Sequence, residues 1–280
     1  MIAYRAILDV PRELVRYVSR LLAAERRAIG TRKGTRALTC HRQALLVLVW
    51  LRKNEDKALL GTGFGVSRST AYRYVAEGVA VLSAQAPDLH QALTRVAADG
   101  WSHVILDGKL FRTDRLSETT TSVKGEQIDA WYSGKHRDFG ANIQALLRPD
   151  GLPIWTSDAL PGHLHDLTCT QRHDLDAALY WAASQLHLPT LADAGYHGTG
   201  IGIHTPTKNP PDGSRLGLDN RTRNTLLRSL RCQGERGFAL LTGRWYSLRH
   251  ITASPRSVGD IVRAALVLTQ FEYRYLPNSC

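Results

Sequence analysis

The chain has 280 residues, of which 43% are hydrophobic and 22% are charged, as in an ordinary globular protein. Its longest apolar run, residues 44–51, is far too short to span a membrane. The formal net charge of +11 favours a polyanionic partner.

The charge is unevenly distributed along the chain. Residues 1–36 hold nine Lys and Arg against three acids, and residues 208–249 also hold nine against three. Residues 101–207 hold eight against twelve. A basic arm and a basic C-terminal segment around an acidic centre suit a metal site beside DNA-binding surfaces, although solvated charged faces alone would give the same pattern.

The four cysteines, Cys40, Cys169, Cys232 and Cys280, are far apart and form no Cys-x-x-Cys pair. A structural zinc site is therefore not expected, and scattered cysteines suit a reducing interior. Polar residues and Pro11 interrupt the N-terminus, so we expect no signal peptide and a cytoplasmic protein.

The chain begins with a predicted basic helical arm, residues 1–35. Residues 1–30 have the period of an amphipathic helix, with Leu14, Val18, Leu21 and Leu22 on one face. A basic, Gly-containing link follows at residues 30–35.

Residues 36–90 are predicted to form an all-α helix-turn-helix domain. A helix at 41–52 precedes a segment at 54–64, a turn at 65–67 and a helix at 68–82, for which Ser67 is a good N-cap. The second helix would present side chains that suit phosphates and base edges in a major groove. They are Arg68, Ser69, Thr70, Tyr72 and Arg73. A plain three-helix bundle is the alternative, and Pro87 is a predicted hinge.

From residue 98 to 280 we predict an α/β domain of short strands and helices. The predicted strands are 104–106, 127–132, 142–147, 153–156, 188–192 and 202–205, with a hairpin turn at Asp150-Gly151. The predicted helices are 166–185, 219–241 and 258–273.

Three carboxylates lie where a metal site would need them. Asp107 and Asp193 each end an apolar β-type run, which predicts that both lie at strand ends and converge. Glu235 lies in an Arg-rich stretch predicted as a helix. Converging carboxylates raise one another's pKa unless a cation neutralises them, and Mg²⁺ prefers oxygen ligands. Each residue alone is more often a turn or surface residue.

Five blocks in order resemble a known family. They are Leu-Asp-Gly (106–108), Tyr-Ser-Gly-Lys-His (132–136), Leu-Pro-Gly-His-Leu-His-Asp-Leu-Thr (160–168), Ala-Asp-Ala-Gly-Tyr-His-Gly (192–198) and Gly-Glu-Arg (234–236). With the segment 63–75, they resemble the DDE transposases of bacterial insertion sequences. The resemblance covers about residues 36–275 and implies an RNase H-like catalytic domain after a helix-turn-helix domain.

The resemblance also implies an activity. Asp107, Asp193 and Glu235 would be the catalytic and metal-binding triad, holding two Mg²⁺ or Mn²⁺ ions that drive phosphodiester cleavage and strand transfer. The partners would be double-stranded DNA, as terminal inverted repeats and target, and no membrane. A homodimer on DNA, associated with the bacterial nucleoid, would be expected. A cleavage-inactive DNA-binding derivative and a hydrolytic nuclease without strand transfer remain alternatives.

Other residues near these blocks have more than one interpretation. His163 and His165 have the spacing of metal ligands on a strand but lack a third ligand, whereas the resemblance suggests that Asp166 caps the next helix or supports the site. Lys135 and His136, on the strand beside that of Asp107, could contact the scissile phosphate or the target strand, or form a solvated hairpin tip.

The last group is basic. We expect a row of arginines to follow a DNA backbone, namely Arg221, Arg223, Arg228, Arg231 and Arg236. Many relatives have a Lys about seven residues after the catalytic Glu, where this chain has Thr242. Arg244 is the candidate to replace that cation. Position 228 is Arg, so the chain lacks the Tyr-x-x-Arg-x-x-x-Glu pattern of one large branch of relatives.

Overall fold

The computed structural model describes residues 7–122 and 124–276. The chain divides into two compact units, of which the first comprises Met1–Ala86, Leu241–Arg249 and Asp260–Cys280. The second comprises Pro87–Leu240 and His250–Gly259, so it begins at Pro87, where the sequence predicts a hinge. Packing thus groups the C-terminal residues with the N-terminal ones, although the sequence places them in one domain from residue 98 to 280.

The first unit contains four N-terminal helices. They are α1 (Arg12–Ala28), α2 (Cys40–Lys53), α3 (Lys57–Phe64) and α4 (Arg68–Ser83). The apolar face predicted for the arm is present on α1, where Leu14, Val18 and Leu22 are buried and Leu21 is half-buried. Residues 1–6 of the predicted arm lie outside the described residues.

Local chemistry starts and stops the helices of this unit. The side chains of Thr39, Asp56 and Ser67 accept hydrogen bonds from the first turns of α2, α3 and α4. Gly65 closes α3 in the left-handed region at φ 73°, which glycine adopts without strain. The predicted N-cap at Ser67 and the short turn between α3 and α4 are therefore confirmed.

The second unit is built on a mixed sheet. Its helices are α5 (Leu89–Ala98), α6 (Asp166–Arg172), α7 (Leu175–Gln185) and α8 (Leu218–Arg231), while α9 (Gly234–Arg244) and α10 (Pro255–Glu272) each belong to both units. Its strands are β1 (Val104–Arg112), β2 (Thr119–Thr121), β3 (Gln127–Asp129), β4 (Tyr132–Ser133), β5 (Asp138–Leu147), β6 (Pro153–Thr156), β7 (Leu160–Pro161), β8 (Thr190–Leu191) and β9 (Ile203–His204).

The strand order of the main sheet is β4-β5-β1-β8-β9, and β6 and β7 also pair with β5. Strand β1 is antiparallel to β5 and parallel to β8, and β8 is parallel to β9. Strands β2 and β3 form a separate two-stranded sheet. A helical N-terminal region followed by a mixed α/β sheet confirms the predicted fold class, an RNase H-like domain after an all-α helix-turn-helix domain.

Several predicted boundaries are wrong. Strand β1 runs on to Arg112, so Asp107 lies in mid-strand, because residues 105–112 continue to pair with β5. The helix predicted at 166–185 is divided at Asp174, which adopts a left-handed φ of 52°. The helix predicted at 219–241 is divided between α8 and α9. The strand predicted at 127–132 is divided into β3 and β4.

Within residues 7–122 and 124–276, no helix combines the length and the apolar character needed to cross a lipid bilayer.

Candidate active site

The strand register brings two of the predicted carboxylates side by side. Ile105 of β1 pairs in parallel with Leu191 of β8. Asp107 and Asp193 each follow these paired residues by two positions, and alternate residues of a strand lie on the same face. Asp107 and Asp193 are both half-buried. The prediction that these aspartates converge from neighbouring strands therefore has a structural basis.

The carboxylate of Asp107 is shielded from solvent and lies near several charged side chains. Burial raises the pKa of Asp107 to about 6; Arg231 lowers it, and the carboxylates of Asp193 and Asp166 raise it. The backbone N–H of Gly108 also lowers the pKa of Asp107. A carboxyl that is costly to ionise in the free protein is well suited to bind a cation.

Asp193 is held by the turn that follows it. Its Oδ1 accepts a hydrogen bond of 2.7 Å from the backbone N–H of Gly195, at the start of a single 3₁₀ turn, Ala194–Tyr196. This bond fixes the direction of the carboxylate beside Asp107.

Helix α9 carries Glu235 in its first turn, along the sheet face that holds Asp107. A Cβ at Gly234 would lie 3.1 Å from Ile105 Cγ2. One turn later the Phe238 ring packs against Phe111, with centroids 5.9 Å apart. Ile105, Asp107 and Phe111 alternate along β1 and share this face. Glu235 itself is exposed.

The third carboxylate of the cluster is Asp166, at the start of α6. Its Oδ1 accepts from Asn142 Nδ2 at 3.0 Å and from Gln144 Nε2 at 3.4 Å. The Tyr196 hydroxyl donates to Gln144 Oε1 at 2.5 Å. A Cβ at Gly108 would lie 2.5 Å from Asp166 Oδ1, so a larger residue there would displace this carboxylate. These bonds link the turn after Asp193 to the start of α6 and to β5, the strand that pairs with the one bearing Asp107.

The amides of this network are functional candidates that the sequence reasoning missed. Asn142 and Gln144 are buried and alternate along β5 within an otherwise apolar run. Two amides spaced two apart in a buried strand are the signal that could have revealed them, since buried amides need polar partners.

The remaining residues of the 160–168 block differ from two expectations. His163 and His165 do not lie on a strand, because β7 ends at Pro161 and the chain turns before α6. His163 Nδ1 is instead bonded to the Ala130 carbonyl at 2.6 Å. The capping role suggested for Asp166 is wrong, because His165 occupies the N-cap position and Asp166 is the first helical residue.

Lys135 and His136 lie in the turn between β4 and β5 and not on a strand, and the expectation that they contact a phosphate stays a prediction. Both side chains are exposed. Lys135 Nζ lies 3.3 Å from Asp166 Oδ2, which connects this tip to the carboxylate cluster.

The predicted DNA-contacting arginines divide into two kinds. Arg228 and Arg236 are exposed on α8 and α9, as a phosphate contact requires. Arg231 is half-buried and lowers the pKa of Asp107. Its Nε atom is buried and has no hydrogen-bond partner among the described residues. Arg231 is therefore part of the carboxylate site.

In the first unit, Arg244 has protein partners. Its Nε lies 2.8 Å from Glu272 Oε2, and its Nη2 donates to the Asp9 carbonyl at 2.7 Å. Arg244 is therefore engaged in packing this unit, and its role in place of the cation found in relatives stays a prediction. The Thr242 carbonyl accepts from Arg249 Nε at 3.1 Å.

Also in the first unit, α4 presents the predicted recognition face. Arg68, Ser69, Tyr72 and Arg73 are exposed, whereas the half-buried Thr70 accepts hydrogen bonds from Ser67 and Arg73. The guanidinium of Arg68 lies 5.6 Å from the centre of the Tyr72 ring. A cation over an aromatic ring holds both side chains in a defined orientation on the helix surface.

The donor chemistry at Asp107 and Asp193 fits a hard divalent cation, because two crowded carboxylates offer oxygen ligands and unneutralised charge. Within the described residues, no three side chains of His, Cys, Asp or Glu form a group that could hold a metal ion. The structure thus brings together two of the three predicted ligands, and the assignment of Glu235 stays a prediction.

Comparison with known proteins identifies the family. A family model for the DDE superfamily endonuclease matches residues 106–270, more than half of the chain. A model for the helix-turn-helix of the DDE superfamily endonuclease matches residues 36–88. The searches of curated proteins and of solved structures each gave no significant match. The chain therefore belongs to the DDE superfamily endonucleases and has the helix-turn-helix of that superfamily in its N-terminal region.

Proposed function

We propose that the protein is a transposase that cuts DNA at the ends of its own insertion sequence and joins those ends to a target. The observation that carries this proposal is that Asp107 and Asp193 each lie two positions after the paired residues Ile105 and Leu191 of β1 and β8, within a chain of this family. Family membership supports an endonuclease, and strand transfer is the step that we add.

The proposed ligands are the carboxylates of Asp107, Asp193 and Glu235. When bound there, two Mg²⁺ or Mn²⁺ ions would polarise the scissile phosphate and activate the attacking oxygen, first of water and then of the freed 3′ hydroxyl. Asp107 and Asp193 provide the fixed part of the site. Glu235 lies in the first turn of α9, directly after the break from α8, and would complete it.

Two neighbouring groups would assist these carboxylates. Arg231 offsets part of the Asp107 charge in the free protein and would be available to a DNA phosphate once cations are bound. The network of Asp166, Gln144 and Tyr196 would hold the turn after Asp193 in place during the reaction.

DNA recognition is proposed to use the exposed side of α4 together with the basic arm. The partners would be the terminal inverted repeats and the target duplex, with Lys135, His136, Arg228 and Arg236 on phosphates. The chain would act as a homodimer on DNA, in the cytoplasm of a bacterium and at its nucleoid.

The test uses duplex DNA taken from the sequence that flanks the gene, incubated with Mg²⁺ or Mn²⁺. We expect strand cleavage by the wild-type protein and none by Asp107→Asn, Asp193→Asn or Glu235→Gln, all of which should still bind DNA. Asp212→Asn, at an exposed loop acid of the second unit, is the matched control and should cut normally. Near wild-type cleavage by one carboxylate variant would show that this residue is wrongly assigned.

The same DNA, supplied with pre-cut 3′ hydroxyl ends and a target plasmid, separates the competing functions. Joined products are expected of a transposase. Cleavage without joining would identify a hydrolytic nuclease, and binding without either would identify a DNA-binding protein that has lost its activity.

A further inference from the structure

Lys57 occupies a position in the first unit that is unfavourable for a cation. It is the first residue of α3, where the N-terminal end of the helix dipole is positive. It is also half-buried, and burial lowers the pKa of its ammonium group, although Tyr72 and Asp56 raise it. A residue that breaks local rules in this way often has a functional role.

Two aromatic rings offset the cost of this position. Lys57 Nζ lies 4.9 Å from the centre of the buried Trp50 ring and 4.9 Å from the centre of the Tyr72 ring. A cation over the face of an aromatic ring is attracted by the ring electrons, and more strongly where water is excluded. Trp50 belongs to α2 and Tyr72 to α4, so the ammonium group of Lys57 connects three helices of the first unit.

The ring of Tyr72 is held by cations and still faces solvent. Besides Lys57, the guanidinium of Arg68 lies 5.6 Å from the ring centre. Tyr72 is nevertheless 41% exposed, on the predicted recognition face of α4. Because the cations lie over the ring, the hydroxyl is the polar group that Tyr72 offers to a partner.

The smaller hydroxyl groups at the start of α4 are already bonded to one another. Ser67 Oγ lies 3.2 Å from Ser69 Oγ and donates to Thr70 Oγ1 at 3.0 Å, and Thr70 also accepts from Arg73 at 3.2 Å. A tyrosine side chain has few rotatable bonds and loses little conformational entropy when it binds. Tyr72 is therefore a preorganised hydrogen-bonding group on this surface.

We propose that the Tyr72 hydroxyl reads one purine of the terminal repeat, and that Lys57 positions Tyr72 for this contact without itself touching DNA. The inference rests on the proposed function and adds to it a specificity-determining residue and a positioning residue. In the major groove, N7 of adenine and of guanine is an acceptor that pyrimidines lack. The hydroxyl would donate to this nitrogen, so the contact would distinguish a purine from a pyrimidine.

The probe is the duplex from one end of the element, in which 7-deazapurines, which lack N7, replace single purines. Fluorescence anisotropy measures the affinity of each duplex. For the wild-type protein, one position should lower the affinity by about threefold to tenfold, the effect of losing one hydrogen bond. Tyr72→Phe keeps the ring and removes the hydroxyl. Its affinity for the unmodified duplex should fall by a similar factor, and the 7-deazapurine at that position should then have no further effect.

Variants of Lys57 test the positioning role. Lys57→Met removes the cation, so the sensitivity to that purine should fall, while the affinity for scrambled DNA and the salt dependence should stay as in the wild type. Lys57→Arg keeps a cation over the rings and should restore the sensitivity. Lys53→Met, at a lysine of the same unit that pairs with Asp9, is the matched control and should behave as the wild type. Circular dichroism checks the fold of each variant, and Lys57→Gln is the second neutral variant if Lys57→Met does not fold.

The outcomes separate this inference from the proposed function. A wild-type protein without a sensitive position, or equal sensitivity in Tyr72→Phe, would overturn the hydroxyl contact. Weaker binding of all sequences by Lys57→Met, with a flatter salt dependence, would show that Lys57 binds a phosphate instead. Unchanged sensitivity in a folded Lys57→Met would leave it a purely structural role. In each of these cases the transposase proposal stands if the wild type cuts the repeat, whereas a wild type that neither prefers nor cuts the repeat would end both proposals.

Discussion

Tyr196 shows how crowded the candidate site is at the scale of single residues. Burial raises the pKa of its hydroxyl well above the usual value, and the carboxylates of Asp166, Asp107 and Asp193 raise it further. The hydroxyl therefore stays neutral and donates to Gln144. Three carboxylates around one buried hydroxyl form a site that costs the free protein stability and that a cation would relieve.

Replacing Asp107 should make the metal-free protein more stable. The folded pKa of about 6 lies above the ordinary value of 3.8, so the folded state loses stability as the pH rises between these two values, and the loss is complete above the folded pKa. At about pH 8 in chelator, Asp107→Asn should raise the free energy of unfolding by about 1–3 kcal/mol, and at about pH 4 the gain should disappear. Urea denaturation at both pH values measures it.

The control for this variant is Asp212→Asn, which removes an exposed carboxylate and should leave stability nearly unchanged at about pH 8. A gain in Asp107→Asn that is the same at both pH values would show that charge burial is not its cause.

The sequence indicated some of these residues and concealed others. Asp107 and Asp193 could be predicted as site residues because each follows an apolar run, and a β-strand determines which face of the sheet their side chains lie on. The structural role of Asn142 and Gln144 was hidden, because a polar residue in a strand normally indicates an exposed face. The electrostatic effect of Arg231 on Asp107 depends on how α8 packs, and a local sequence pattern does not contain that information.

At the scale of elements, the helices that have strong end signals were predicted well and the interrupted ones were not. Ser67 marks the start of α4 in the sequence as clearly as in the structure. Between α8 and α9 the helical pattern continues, but Gly234 packs against Ile105 and the chain turns there. Tertiary packing therefore decided this boundary.

The exposed arginines of α4 are predicted to contribute to DNA recognition. Arg68→Ala and Arg73→Ala should both weaken binding to the terminal repeats, but unequally. A residue that reads base edges should lose roughly 1–3 kcal/mol of discrimination, whereas one on a phosphate should weaken all sequences alike and flatten the salt dependence. Fluorescence anisotropy at several salt concentrations, on specific and scrambled duplexes, distinguishes the two.

Arg256→Ala, an exposed charge outside α4, is the matched control for a general loss of basicity. Unchanged affinity and specificity in both α4 variants would remove this helix from recognition.

The packing of α2 against α4 predicts opposite effects at two glycines. A Cβ at Gly78 would overlap Val47, so Gly78→Ala should lower the melting temperature, because overpacking costs about 1–3 kcal/mol. A Cβ at Gly63 in α3 meets nothing within 4 Å, so Gly63→Ala should gain up to about 1 kcal/mol of helix propensity. Thermal denaturation of both variants checks the pair, and equal shifts would contradict this close helix contact.

At the scale of the whole molecule, removal of the divalent metal should stop DNA cleavage but should not unfold the protein. Carboxylate ligands favour Mg²⁺ or Mn²⁺ over Zn²⁺, so cleavage should stop in chelator and return with either ion. Ca²⁺ should bind but support little cleavage. Buried apolar side chains form the cores of both units and do not need a bound ion, so the circular dichroism spectrum should not change in chelator. Cleavage without metal would contradict the two-ion mechanism, and unfolding in chelator would indicate a structural metal.

The return of the C-terminal residues to the first unit was not predictable from sequence, because it depends on contacts between distant segments. Trp245 Nε1 donates to Thr269 at 2.9 Å, and the Tyr17 and Phe271 rings stack at 4.7 Å. Helix α10 therefore belongs in part to the unit that contains α4.

This return limits how a copy of the gene can decay. A frameshift or stop codon after the last proposed ligand, Glu235, would delete Trp245, Thr269 and Phe271 and so remove packing from the unit that contains α4. Shortened copies should then lose DNA binding together with cleavage. A silent copy that still occupies the element's ends, and so competes with active copies, would have to be full length and altered at a carboxylate.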